Sequence, residues 1–283
     1  MALTVRTNIA SLSAIHQLNR TQGNLSSSLE RISSGLRVNR SADDAAGLSV
    51  ASRMNSDNTS LAQAMRNTND GISMIQTAEG GLNELNNILV RMRELSVQAS
   101  NETYNSTDRS MIATEMTHLQ AEYSRIVTTS NFNRTDLLNS SDTSFGIQVG
   151  IHNTTDDRIS INLSSLAAAA SDVGLNTLFG TSSIAQSGQL TQARINIELI
   201  DNALDGISTR RSRLGALQNR LENALSEASN YSQNLSASQS QILDVDYASE
   251  SANMTRYQIQ QQAGVAALAQ AKAIPQSVIS LLS

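Results

Sequence analysis

A chain of 283 residues has room for one elongated domain or two compact ones. Its composition narrows the choice: 3% aromatic residues, a single proline (Pro275), no tryptophan and no cysteine argue against a thick globular core and exclude disulfides and thiolate metal sites. A net charge of −5, with nineteen arginines against the single Lys272, offers no general attraction to nucleic acid or to an anionic membrane.

From the N-terminus onward, residues 1–36 read as a helix, with Ile15, Leu18, Leu25, Leu29, Ile32 and Leu36 at spacings of three, four and seven. Gly35 and the polar run Asn39-Arg40-Ser41 end it. Ser41 with Asp44 has capping-box-like spacing and predicts a short helix to about residue 53. A second long helix is predicted over 59–99. One seven-residue column is Ala64, Gly71, Ala78, Leu85, Met92 and Ala99; the other is Leu61, Thr68, Ile75, Leu82 and Leu89. Gly71, Gly80 and Gly81 cost helix stability, so close backbone approach is their expected use. After a turn at 101–105, a third helix over 107–130 carries Ile112, Met116, Leu119, Tyr123 and Ile126 on one face.

The period then changes to two. Phe145, Ile147 and Val149 alternate with Gly146, Gln148 and Gly150, and Ile159, Ile161 and Leu163 alternate with Ser160 and Asn162, which predicts a β-hairpin over 144–163. Residues 164–186 are small and polar and read as a short loop. The long helix over 190–242 carries Ile207, Leu214, Leu221, Ala228, Leu235 and Ile242 in one column and Leu217, Ala224 and Tyr231 in a second. At 1.5 Å rise it would be on the order of 80 Å long, so it needs partners of similar length. Asp244-Val245-Asp246 breaks it, and a last helix covers 247–282, where Pro275 is expected to kink or interrupt the bonding.

The fold class predicted is mainly α: an elongated antiparallel bundle or coiled coil of long helices with a small β-hairpin region. The layout is near-symmetric about the hairpin. Both chain ends are amphipathic helices without a partner in their own half, so they are expected to pair with each other as a coiled coil and to associate with other copies. No secretory signal is recognisable at the N-terminus, and no run approaches the ~18 apolar residues of a membrane span.

Three stretches carry a family resemblance. TNIASLSAIHQLN, followed by LERISSGLRVNRSADDAAGLSVASRM, resembles the N-terminal signature of bacterial flagellins. LDVDYASESANMTRYQIQQQAGVAALAQAKAIPQSVISLL is similar to the flagellin C-terminus, and NNILVRMRELSVQASN to an internal flagellin segment. In order, these cover roughly two-thirds of the chain. The middle departs from many flagellins, which carry a large variable domain there; this chain looks like a minimal form.

The resemblance implies a structural, non-enzymatic subunit of an extracellular flagellar filament, exported unfolded through the type III flagellar apparatus and assembled at the tip. It implies that residues 1–40 and 245–283 are inner-tube helices and that 41–244 form the outer tube. Expected inner-tube packing residues are Leu25, Leu29, Ile32, Ile259, Ala263 and Ala266; expected outer-tube core residues are Leu85, Met92, Leu214, Leu221 and Leu235. Arg91, Leu95 and Glu115 match flagellin positions recognised by the Toll-like receptor for flagellin, on a face that would otherwise pack against a neighbouring subunit. Other implied partners are the chain itself, the filament cap, the hook-junction proteins and the export chaperone, with no cofactor, nucleic acid or membrane. A hook–filament junction protein is the alternative.

Other candidates have plainer explanations. His16, His118 and His152 are isolated and lack ligand spacing. Asp43-Asp44 suits a helix start. Arg210, Arg211 and Arg213 suit a subunit contact or a solvated face. The Asn-x-Thr triplets at Asn101, Asn105 and Asn153 arise readily in an Asn- and Ser-rich chain. Ser140 to Ser144 and Thr177 to Ser187 are weak candidates for O-glycosylation.

Overall fold

A computed structural model describes residues 8–139, 144–162 and 189–282. The 164–186 loop and most of the glycosylation candidates lie outside the described residues. The described chain is mainly α, in the order α1 (Ile9–Ser34), α2 (Ala45–Ala99), α3 (Ser106–Thr129), β1 (Asn131–Phe132), β2 (Thr135–Asp136), β3 (Ser144–Gln148), β4 (Arg158–Asn162), α4 (Gln189–Leu243) and α5 (Tyr247–Leu282). It divides into two compact units. One comprises residues up to Asn58 together with those from Gln233 onward; the other is Thr59–Ser232.

The helix ends follow local chemistry. Asn8 caps α1 by accepting from the Ser11 amide at 3.0 Å, and Gly35, at φ 75°, closes it in the left-handed conformation that glycine adopts without strain. Asn105 and Asp108 form a reciprocal capping box at the start of α3. α2 starts later than the Ser41 signal suggested: the Asp44 carboxylate accepts from the Gly47 amide at 2.8 Å, while Asp43 accepts from the Asn39 and Arg40 amides. The short helix and the second long helix are one element of 55 residues. Asn55 to Asn58 carry only mild propensity penalties and all retain their N–H, so extending the helix costs less than nucleating a new one. α5 likewise continues through Pro275 to Leu282.

In the Thr59–Ser232 unit, every member of both predicted α2 columns is buried, from Leu61 and Ala64 to Leu89 and Ala99. Ile75, Ala78, Leu82, Leu85, Leu89 and Met92 of these columns meet Ile200, Ile207, Leu214 and Leu221 of α4 and Tyr123 and Val127 of α3 in one apolar cluster, closed by Leu137, Leu138, Ile159 and Ile161. A second cluster holds Leu95, Ala99, Ile112, Ala113, Met116 and Ala193. Of Gly71, Gly80 and Gly81, two mark close approach. A Cβ on Gly81 would sit 2.9 Å from Leu138 Cδ1, and one on Gly71 would sit 3.2 Å from Ile147 Cγ1, whereas Gly80 faces open space.

The predicted hairpin is β3–β4, antiparallel with Ile147 opposite Ile159. A second, smaller hairpin, β1–β2, turns at Asn133 and Arg134, both at positive φ (47° and 66°). Its signal was weak because asparagine tolerates the left-handed region and arginine gives no such cue. Tyr123 is fully buried, and desolvation pushes its hydroxyl pKa up to about 12. A folded-state value above the unfolded one of about 10 stabilises the fold below pH ~10, a contribution that fades as the pH rises through the folded value. The Tyr123→Phe protein is therefore expected to lose less stability between pH 10 and 12 than the parent in denaturant melts; equal losses would contradict this.

Candidate functional site

The terminal unit pairs α1 with α5. Along α1 the covered positions are Ser11, Ala14, Leu18, Thr21, Leu25, Ser28 and Ile32, alternating spacings of three and four. Along α5 the matching series is Glu250, Met254, Tyr257, Gln261, Gly264, Leu268 and Ala271, with Asn253 also partly covered. This is the seam of an antiparallel coiled coil, as the chain ends were expected to form. Its bonds are largely polar. The Ser28 hydroxyl donates to the Glu250 carboxylate, Gln261 Nε2 donates to Gln22 Oε1, and Asn8 Nδ2 donates to the Ala271 carbonyl at 2.8 Å. A Cβ on Gly264 would lie 3.3 Å from Leu18 Cδ1, so backbone and side chain meet closely there.

The inside of this pair mixes small polar with apolar residues, while several large apolar side chains stay outside. Three of the four fully buried α1 residues are Ser11, Thr21 and Ser28, with Leu25 the fourth. Ile9 (68%), Leu12 (53%) and Leu29 (48%) are exposed on α1, and Ile259 (61%) and Val265 (52%) on α5. Of the six expected packing residues, Leu25 and Ile32 lie in the intrachain seam. Leu29, Ile259, Ala263 and Ala266 face outward. The polar filling of the seam was not anticipated from sequence, although the seven-residue recurrence of Ser11, Leu18, Leu25 and Ile32 contained it.

All five expected core residues are buried. Leu85, Met92, Leu214 and Leu221 lie in the main cluster of the Thr59–Ser232 unit, and Leu235 lies in the terminal unit. The predicted recognition residues separate by depth. Arg91 is exposed and donates from Nε and Nη2 to Glu115 Oε1 at 3.1 and 2.8 Å, and from Nη1 to Glu94 Oε2 at 2.9 Å. These bonds, to Glu115 first and then Glu94, hold the guanidinium above its ordinary pKa. Leu95 is buried in the second cluster, beneath that surface. Four residues along a helix advance the side chain by about 40°, enough at the stripe's edge to place one residue outside and the next inside. Met111, 67% exposed on α3, was not anticipated. No described helix is long and apolar enough to cross a membrane.

The family model for the bacterial flagellin N-terminal helical region matches residues 5–143, and that for the C-terminal helical region matches residues 197–282. A flagellin of Halalkalibacterium halodurans is 42% identical over 265 residues, covering 94% of this chain and 93% of its own. The chain belongs to the bacterial flagellin family. It is a structural subunit of the flagellar filament, an assembly on the outside of the cell. Flagellin B of Vibrio anguillarum is 32% identical with both chains covered in full, but the alignment spans 375 positions against 283 residues here, so that relative carries a long insertion. This flagellin is a short form without the large outer domain. The hook-associated alternative has no better support. A Vibrio parahaemolyticus protein described as flagellar hook-associated covers 71% of this chain and all of its own with TM-score 0.60, but at 11% identity that likeness concerns the fold alone.

Proposed function

We propose that this flagellin polymerises by covering the outward apolar residues of its terminal helix pair with the same helices of neighbouring copies. Residues 1–40 and 245–283 then form the inner tube and residues 41–244 the outer one. The observation that carries this reading is the set of large apolar side chains the α1–α5 pair leaves outside, Ile9, Leu12, Leu29 and Ile259, while Ser11, Thr21 and Ser28 take places in its seam. A pair that leaves this much apolar surface uncovered is marginal alone, and burial at about 25 cal/mol per Å² across several interfaces offsets the ordering entropy. The chain works without catalysis or cofactor. It leaves the cell unfolded through the type III apparatus, attended by the export chaperone, and joins the polymer between the hook-junction proteins and the cap. The chain contains no cysteine to crosslink in transit.

Electron microscopy of the purified chain tests the reading: long tubes are expected, and assembly that stops after about one ring favours the junction protein instead. The exposed Arg91–Glu115 pair is the part of the predicted receptor surface that a monomer presents; Leu95 contributes by holding α2 and α3 together beneath it. Monomers with Arg91→Ala are expected to lose Toll-like receptor signalling while still polymerising. Signalling equal to the parent's would remove the receptor reading.

A further inference from the structure

Both turns that end the long helices in the terminal unit are joined to each other. The chain leaves α1 at Gly35 and leaves α4 at Leu243. The Arg37 amide donates to the Leu243 carbonyl at 2.6 Å, the Val245 amide to the Gly35 carbonyl at 3.0 Å, and Leu36 and Asp244 form an antiparallel bridge. The Arg37 side chain adds a second layer: its Nη2 donates to the carbonyls of Ile242, at 2.7 Å, and Gln241, at 3.3 Å. These are among the last carbonyls of α4, which lack partners within the helix and carry the negative end of its dipole, so a guanidinium is well suited to them. The Tyr247 hydroxyl sits where a Cβ on Gly35 would be 3.1 Å away, and Ser28 bonds to Glu250 on the first turn of α5.

Beyond this clasp the α1–α5 seam is tied in its register by the Gln22–Gln261 and Asn8–Ala271 bonds, while its packing alone discriminates less. Both helices repeat every seven residues, so sliding α5 by one heptad returns each position to the seam. Ser11, Ala14, Thr21, Gly264 and Ala271 are too small or polar to penalise the slip strongly. After a slip, Leu18 would face Ala271 or Tyr257 in place of Gly264. Deeply covered polar contacts commonly fix register in such seams. Here the part-buried Ser28–Glu250 bond and the exposed bonds of Arg37 to the α4 carbonyls gather at one end, while Gln22–Gln261 lies mid-seam and Asn8–Ala271 at the far end.

We propose that Arg37, with the Ser28–Glu250 bond beside it, is a positioning residue that sets the register of the terminal helix pair. It thereby sets which side chains the chain presents for assembly. Only that last consequence rests on the filament reading; the register belongs to one chain and is measured on one chain. Because the sequence has no cysteine, two engineered pairs report it in the full-length soluble protein, with sulfate present to strengthen burial. Leu18→Cys with Gly264→Cys reports the observed register, and Leu18→Cys with Ala271→Cys reports a one-heptad slip. In an otherwise unaltered chain, oxidation is expected to link the first pair and not the second. Adding Arg37→Ala and Glu250→Ala is expected to move the yield from the first pair to the second, and Arg37→Lys with Glu250→Gln, which keep a donor and an acceptor, to move it back. A purely stabilising role would weaken the first link without creating the second. That outcome, or a first link unchanged by the substitutions, overturns the proposal.

Discussion

A chain cut back to residues 45–243 is expected to stay folded and to build no filament under conditions where the full-length protein does. The cut removes α1 and α5 and leaves α2, α3, α4 and both hairpins. The main apolar cluster, from Met74 to Leu221, lies wholly within the retained part, so far-ultraviolet circular dichroism should still report a largely helical protein. What disappears is the outward set Ile9, Leu12, Leu29, Ile259 and Val265. Each large apolar side chain gains about 1.5–3 kcal/mol on full burial, and a polymer repeats that gain in every copy, so the loss should be all or none in sedimentation and micrographs. Full-length tubes grown from the shortened chain would refute the assignment of polymerisation to the terminal pair.

The second large effect is expected inside the Thr59–Ser232 unit. Leu85 is fully buried in the middle of the main cluster, so Leu85→Ala removes its transfer energy and leaves a cavity that long packed helices close only in part. The expected loss is about 2–5 kcal/mol, read as a lower denaturant midpoint with an unchanged slope. Leu29→Ala is the control. Its side chain is half exposed, so the soluble chain should unfold almost as before while polymerisation weakens. Equal unfolding losses for the two variants would mean that the cluster is not what stabilises the unit.

The helical framework was readable because a seven-residue recurrence survives any exchange of similar apolar residues. Both α2 columns and the α4 column to Leu235 emerge buried, as do Ile112, Met116 and Tyr123 of the α3 face, with Leu119 partly buried. Other features were less readable where a rule has competing solutions. Ser41 with Asp44 had capping-box spacing, but the Asp44 carboxylate itself reaches the Gly47 amide and the helix starts after it. The polar stretch 55–58 looked like a break but lacks any residue that forces one. Arg91 and Leu95 share a helix face on paper, yet the edge of the buried stripe runs between them. The terminal pair is the deeper case. Apolar residues show which faces of a helix seek cover without saying whether the cover comes from the same chain, and here Ser28 and Thr21 took the inside.

The partners in the terminal pair stand at opposite ends of the sequence: the Ser28–Glu250 bond spans 222 residues and the Asn8–Ala271 bond 263. Contacts so distant close late, since the whole intervening chain must be delivered first. Whichever terminus emerges first has to wait for the other. The interior clusters are complete between Met74 and Leu221 and can form beforehand. The terminal pair is thus the last part of the fold that the chain can complete.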